Sequence, residues 1–179
     1  MSKIYQPEED SFLLSEVLEN KIPQLLQKNS SLKVLEIGVG SGIQLEKIYE
    51  QGVPKENIFS CDINLESVKR CKSLGFNCIK SNLFSNIKGK FDLIIFNPPY
   101  LPEDKKEDEE SRIATTGGKK GSEIINKFLK QAKSHLKENG KIFLLVSSLT
   151  KGIDFKRYNK KILAKKKIFF EELSIWELS

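Results

Sequence analysis

The chain has 179 residues, of which 39% are hydrophobic, and a formal net charge of +6. This length predicts a single domain over residues 1–179 that buries roughly 70% of its unfolded surface without needing disulfide bonds. No stretch has the length of a membrane span, and the first residues lack the apolar region of a secretory signal, so we expect a cytosolic protein.

The cysteines and the positive charge bear on metal and nucleic-acid binding. Cys61, Cys71 and Cys78 are an odd number without a C-x-x-C pair, which predicts neither a metal site nor a disulfide framework and fits a reducing compartment. The lysines are spread along the chain, and an acidic run at 103–110 closely follows the segment Asn97-Pro98-Pro99-Tyr100. We interpret the charge as a solvated lysine surface, although a basic face could also meet a factor that works on the ribosome.

The first predicted element is a helix at residues 8–27. Its apolar residues recur at a helical spacing, acidic residues occupy its start, and the pattern is interrupted at Pro23. On these residues alone, the segment is a helix that docks on the rest of the domain.

Strands and helices then alternate along the chain. We predict strands at 32–37, 58–63, 77–80, 91–96 and 141–147, and helices at 43–50, 65–74 and 122–136. Short apolar strands separated by helices favour a parallel, buried sheet. A short helix at 154–158 precedes two β-rich segments, 161–169 and 171–178, which lie too close together for a helical crossover. We expect an antiparallel pair that closes one edge of the sheet, and a long polar loop at 101–121 whose glycines make it mobile.

A glycine-rich turn follows the first predicted strand, in the sequence Glu36-Ile37-Gly38-Val39-Gly40-Ser41-Gly42. A strand, a glycine turn and a helix begin an α/β unit that binds a nucleoside cofactor. The spacing differs from the dinucleotide pattern, and no P-loop lysine follows. Glu36 could take the ammonium of an amino-acid-like cofactor. Asp62 ends the next strand, where it suits ribose hydroxyls, and Asn82 lies where an adenine edge would lie.

The most informative segment is Asn97-Pro98-Pro99-Tyr100, directly after the strand at 91–96. The Asn97 side-chain oxygen and the Pro98 carbonyl can each accept one hydrogen of a planar NH2 group. The two prolines keep the loop extended, and Tyr100 offers a flat apolar face. The segment therefore predicts a holder that turns the nitrogen lone pair toward an electrophile.

These motifs resemble those of the class I S-adenosylmethionine-dependent methyltransferases. More narrowly, the chain is similar to the HemK/PrmC-type protein glutamine N5-methyltransferases, in their small archaeal and eukaryotic branch. The resemblance is carried by a Y-x-P-x-E-D-[ST] pattern at 5–11 and by residues 36–42, 62–64, 82–83, 97–100 and 116–123. It implies a Rossmann-like α/β fold with seven strands, mostly parallel with an antiparallel C-terminal hairpin, and helices on both faces. The segment 1–28 would then cover the cofactor, and loop 101–121 would border the substrate.

The resemblance also implies roles for individual residues. Catalysis and binding of the substrate amide would fall to Asn97, Pro98, Pro99 and Tyr100. Contacts to S-adenosylmethionine would come from Tyr5, Ser11, Glu36, Gly38, Gly40, Gly42, Asp62, Asn82, Leu83 and Asn97.

The chain departs from the family pattern at two places. Asn82-Leu83 stands where the family usually has Asp-Leu, and we expect weakened cofactor affinity at most, because the amide oxygen still accepts a hydrogen bond. A tryptophan usual before the glycine pair is absent from Ile113-Ala114-Thr115-Thr116, which affects how the substrate-side wall is built.

The implied substrate is the glutamine of a Gly-Gly-Gln loop in a class I translation termination factor. A small zinc-binding activator protein, common in this branch, would add a strand along the edge from Phe76 to Lys80. The transfer would proceed by direct displacement, with orientation as the main aid to catalysis. His135, the only histidine, ends a predicted helix and leaves no Ser-His or Cys-His catalytic pair.

Two other functions remain open on the sequence. An adenine-N6 methyltransferase acting on DNA or RNA would use the same N-P-P-Y holder on a flipped base, although no separate base-reading segment or basic-aromatic stripe is evident. A catalytically idle scaffold would use the fold for binding only, against which the complete set of motifs argues.

Overall fold

A computed structural model describes residues 4–103 and 115–179. In this part of the chain, seven strands form one sheet in the order β3-β2-β1-β4-β5-β7-β6. The strands are β1 (Val34–Ile37), β2 (Ile58–Asp62), β3 (Asn77–Lys80), β4 (Phe91–Phe96), β5 (Leu136–Ser147), β6 (Lys160–Ile168) and β7 (Glu171–Leu178). The helices are α1 (Glu9–Lys28), α2 (Ile43–Glu50), α3 (Leu65–Ser73) and α4 (Glu123–Ala132).

The expected Rossmann-like, mostly parallel sheet is confirmed. β1 pairs in parallel with β2 and β4, β2 with β3, and β4 with β5, while β7 runs antiparallel to both β5 and β6. The continuous apolar sequences of the central strands are explained by burial on both faces. In β4, Leu93 and Ile95 pack in a core with α1, α2 and α3, whereas Ile94 and Phe96 pack in a second core with α4.

This topology creates a crevice at one end of the sheet. β1, β2 and β4 are parallel, so their carboxyl ends lie at the same edge. The chain leaves β1 toward β2 on one side, and β4 pairs on the other side, which makes β1 and β4 the switch point of an open α/β sheet. Ligands of such sheets bind outside the carboxyl ends of the strands at this point.

Helix α1 corrects the expectation that Pro23 interrupts the leading helix. The helix continues through Pro23 to Lys28. Ile22 is fully buried before the proline, and Leu25 and Leu26 pack on the same core after it. This packing on both sides of Pro23 holds the helix, because one missing backbone hydrogen bond is a smaller loss than exposing these side chains.

The prediction of a short helix at 154–158 is also wrong. These residues form a loop with a turn in which the Tyr158 amide donates to the Phe155 carbonyl over 2.9 Å. Phe155 stacks on Trp176 of β7, with ring centroids 5.5 Å apart, and the Tyr158 hydroxyl donates to the Leu129 carbonyl. Tertiary contacts therefore hold this segment in place of a helical hydrogen-bond ladder.

The helix expected over 122–136 ends earlier, at Ala132, and a 3-10 turn at Lys133–His135 leads into β5. His135 stacks on Phe84, with ring centroids 4.6 Å apart. Within the described part of the chain, no helix combines the length and apolarity that crossing a bilayer requires.

Candidate active site

A cleft of about 840 Å³ opens at the carboxyl ends of β1, β2 and β4. The predicted site residues come from five separate segments of the sequence, and all of them except Gly42 line this cleft. Gly42 lies just behind it, where it caps the start of α2 with a φ of 90°. The fold therefore brings together the residues that the sequence patterns singled out.

The glycine turn forms the floor between β1 and α2. Gly38 and Gly40 adopt φ values of 72° and 51°, in the left-handed region that glycine tolerates best. The Gly38 amide donates to the Cys61 carbonyl over 2.8 Å, which ties the turn to the end of β2. Without side chains at 38 and 40, a ligand can lie directly on the backbone.

Glu36 is an unsatisfied acid beside this turn. Its side chain is 3% exposed, and its Oε2 atom has no hydrogen-bond partner among the described residues. Burial and the nearby Asp62 carboxyl raise the pKa of Glu36 well above its usual value. A cationic ligand group would supply both the missing donor and the missing charge.

Asp62, at the end of β2, is held by the backbone around it. Its carboxylate accepts from the Gly40 amide over 2.9 Å and from the Asn64 amide over 2.8 Å. Burial raises the pKa of Asp62, while these amides oppose the shift. Each oxygen keeps capacity for a further hydrogen bond, which suits a diol. The next residue, Ile63, lines the cleft with 56% of its surface exposed.

Asn82 and Leu83 form the wall after β3. Asn82 is exposed in the cleft, and Leu83 is mostly buried with a φ of 51°, an uncommon conformation for a leucine. The Leu83 carbonyl accepts from the Ser81 hydroxyl over 2.8 Å, which helps to hold that conformation. Such local strain is concentrated at functional sites.

Asn97 carries the least satisfied polar atom on the opposite wall. Its Nδ2 donates to Oδ2 of Asp10 over 3.1 Å, whereas its Oδ1 is buried and has no partner in the described part of the chain. Pro98 and Pro99 line the cleft beside it and have no backbone N–H to offer. This wall thus presents hydrogen-bond acceptors.

Tyr100 is fixed at the rim of the same wall. Its carbonyl accepts from the Thr150 hydroxyl over 2.8 Å. A side chain at Gly117 or Gly121 would collide with the carbonyls of Pro99 and Tyr100, so only glycine allows this close packing. At these two positions glycine serves close packing, whereas the mobility expected for loop 101–121 stays a prediction, since residues 104–114 lie outside the described residues. Ile113 and Ala114 of the second family departure lie there too; Thr115 and Thr116 line the cleft.

The structure adds residues that the sequence patterns did not assign. Three such residues line the cleft: Asp10 and Gln44, which are buried, and Ile63, which is exposed. Gln44 donates to the Ser11 carbonyl over 2.8 Å, which fastens α1 to α2 beside the glycine turn. Two of these residues could have been found from the sequence. Asp10 is the aspartate of the Y-x-P-x-E-D-[ST] pattern, and Ile63 directly follows the strand-end acid Asp62.

Comparisons with known proteins agree with this geometry. The family model of the Eco57I restriction-modification methylase matches residues 43–170. MJ0928 of Methanocaldococcus jannaschii, a predicted protein N5-glutamine methyltransferase, is 39% identical over 98% of this chain and 93% of its own. The release factor glutamine methyltransferase of Aquifex aeolicus is 30% identical over 85% of this chain and 57% of its own. The 16S rRNA N2 G1207 methyltransferase RsmC of T. thermophilus, solved with AdoMet and guanosine, gives a TM-score of 0.65 at 17% identity, covering 97% of this chain and 43% of that one.

The strand order, the glycine turn after β1 and the N-P-P-Y segment after β4 define a class I methyltransferase. Within that class, the chain belongs to the HemK/PrmC-type protein N5-glutamine methyltransferases, and it also matches the methyltransferase family of the Eco57I model.

Proposed function

We propose that this chain transfers a methyl group from S-adenosylmethionine to the side-chain amide nitrogen of a glutamine, in the Gly-Gly-Gln loop of a class I translation release factor. The observation that carries the proposal is the buried Oδ1 of Asn97, which finds no partner in the described structure. A primary amide in the cleft supplies the N–H that this oxygen lacks. The name of the Aquifex relative supports a release factor as the substrate.

The cleft has the polar groups that S-adenosylmethionine requires. The Glu36 carboxyl, whose Oε2 has no partner among the described residues, fits the ammonium of the methionyl part, and Asp62 fits the ribose hydroxyls. Ile63 and Leu83 supply apolar surface for the adenine, with the Asn82 amide at its edge. When bound, this cofactor supplies an electrophilic methyl group on a sulfonium.

The residues of the chain promote the transfer by orientation. Burial and nearby carboxylates raise the pKa values of Tyr5 and Tyr100, so both phenols stay protonated and neither acts as a base at neutral pH. Asn97 and the Pro98 carbonyl hold the two hydrogens of the acceptor nitrogen and fix its position. This placement can supply several kcal/mol, and the two acceptors also stabilise positive charge that develops on the nitrogen.

A second candidate function is adenine-N6 methylation of nucleic acid. The match to the Eco57I family model favours it, and an exocyclic amine presents the same two hydrogens to Asn97 and Pro98. Tyr100 would then stack against the base.

Labelled cofactor distinguishes the two candidates. The purified chain is incubated with methyl-labelled S-adenosylmethionine and one of three acceptors: a release factor, the same factor with its loop Gln→Asn, or duplex DNA. We expect label on the first acceptor only, because the asparagine amide is one methylene short of the methyl donor. Label on DNA but not on the factor would contradict the proposal and support the second candidate.

We also propose a cytosolic location. Cys61, Cys71 and Cys78 are free thiols and all are buried. Such thiols persist in a reducing compartment, which is also where translation release factors act.

We further propose that a small zinc-binding activator protein adds a strand to β3. This strand lies at the edge of the sheet and pairs with β2 on its other side. Ile79 keeps 42% of its surface exposed there. An edge strand that exposes an apolar side chain and unpaired backbone groups is a template for pairing with another chain.

Ile79→Lys is expected to weaken capture of the activator roughly 10-fold or more, because a charge replaces apolar surface that the added strand would cover. The matched control is Ile162→Lys on β6, at the opposite edge of the sheet, where Ile162 is 38% exposed. Co-purification from cells that express both proteins measures the effect. Equal loss in both variants, or a fully soluble and active chain without any activator, would contradict the proposal.

A further inference from the structure

The first turn of α1 places a buried carboxylate, that of Asp10, next to the side-chain NH2 group of Asn97. Asp10 is 4% exposed and lies 87 positions before Asn97 in the sequence. Its Oδ2 accepts from Nδ2 of Asn97 over 3.1 Å, and both its oxygens lie 2.9 Å from the Tyr5 hydroxyl. The pKa of Tyr5 is raised by burial and by Asp10, so the phenol keeps the proton that it donates.

This contact determines which way the Asn97 amide faces. An ionised carboxylate accepts hydrogen bonds and donates none, so Asp10 can pair with the NH2 of Asn97 but not with its oxygen. The oxygen must then take the other side of the amide plane. Oδ1 is indeed buried there without a partner among the described residues, an unfavourable state that a donor on a ligand would relieve.

The opposite orientation would reverse the chemistry of the site. If Asn97 were flipped, its NH2 would face the ligand and would bind a carbonyl or carboxylate oxygen. With Asp10 in place, the wall offers the acceptor Oδ1, followed by two prolines without N–H groups. A carboxylate ligand would meet acceptors and the Asp10 charge, whereas an NH2 group would be bound.

We propose that Asp10 is a positioning and specificity residue: it fixes Asn97 with its oxygen toward the acceptor, so that the site takes a glutamine amide and rejects a glutamate carboxylate. The inference rests on the proposed function. It also gives a physical role to the aspartate of the Y-x-P-x-E-D-[ST] pattern, which contacts Asn97 from the first turn of α1.

The test compares binding of two acceptors by isothermal calorimetry. They are a release factor with its loop glutamine and the same factor with Gln→Glu, each titrated into the chain saturated with S-adenosylhomocysteine. Asp10→Asn is expected to reduce the preference for glutamine roughly 10- to 100-fold, because Asn97 can then present either group to the ligand. Turnover of the glutamine factor should fall by roughly the same factor.

Glu9→Gln is the matched control. It removes the same charge one residue earlier in the same helical turn, from an exposed side chain whose Oε2 lies 2.5 Å from Nζ of Lys166. We expect the wild-type preference for glutamine in this variant. If Asp10→Asn does not fold, as judged by thermal denaturation, the preference is measured on Asp10→Ser, whose hydroxyl also fails to fix the amide.

The results separate this inference from the proposed function. A wild-type chain that leaves the glutamine factor unmethylated overturns the proposed function. A wild type that methylates it, together with an Asp10→Asn variant that keeps both turnover and the preference for glutamine over glutamate, overturns the role of Asp10 alone. A helix-packing role would change the melting temperature without changing this preference.

Discussion

Asn97→Ala is expected to reduce methyl transfer to near background, roughly 1000-fold, while the affinity for S-adenosylmethionine changes little. The alanine removes the oxygen that holds one hydrogen of the acceptor nitrogen, and both positioning and charge stabilisation are lost with it. Initial rates with saturating cofactor and release factor measure the loss. Calorimetry with S-adenosylmethionine alone measures the affinity.

Asp62→Ala is expected to have the opposite effect, weakening cofactor binding before it affects the transfer step. It removes a carboxylate that accepts from the Gly40 and Asn64 amides, so cofactor affinity should fall first and turnover should recover at high cofactor concentration. An Asn97→Ala variant that stays active, or one that simply fails to bind the cofactor, would contradict the role assigned to Asn97.

Glu36→Gln is expected to stabilise the empty chain and to weaken cofactor binding at the same time. Because the folded-state pKa of Glu36 is raised by burial, the stability linked to this carboxyl is full at acid pH and is lost as pH rises through the folded pKa. A neutral amide avoids that loss at neutral pH. It also removes the charge that would pair with an ammonium.

Thermal denaturation from pH 5 to pH 8, with and without S-adenosylmethionine, tests both effects. Without cofactor the variant should melt a few degrees higher at neutral pH, since roughly 2–4 °C corresponds to 1 kcal/mol in a chain of this size. The wild type should lose more stability than the variant as pH rises, and should gain more from the cofactor. Glu46→Gln, an exposed carboxyl on α2, should match the wild type. Unchanged cofactor affinity in Glu36→Gln would contradict the role of Glu36.

The sequence predicted the fold well where local signals were strong. The strands at 77–80 and 91–96 and the helix at 43–50 have the predicted bounds. Local breakers mark two of these elements: Gly42 and Gly52 bracket the helix, and Asn97-Pro98 ends the strand at 91–96. Two of the errors, at Pro23 and in the segment 154–158, lie where tertiary packing overrides local preference. In both, buried side chains on other elements decide the backbone conformation.

The candidate site was predictable to the extent that its groups sit at strand ends. Strand-end positions converge in a parallel sheet, which is why residues from 36 to 100 meet in one cleft. The contact between Asp10 and Asn97 follows no such rule, since it depends on how α1 is laid across the sheet. The unpartnered state of Asn97 Oδ1 likewise depends on how the chain is packed, so the spacing of residues in the sequence does not predict it.

The order of the last three strands constrains how the protein can be made. β7 is synthesised after β6 but lies between β6 and β5 in the sheet. During synthesis, therefore, β6 has no neighbour to pair with and β5 keeps an open side until residues 171–178 have emerged. A chain cut short before residue 171 would leave β6 unpaired and one side of β5 open, a configuration prone to aggregation, and would lack the cleft residue Glu171 as well. The sheet and its cleft can therefore be completed only after residues 171–178 have been synthesised.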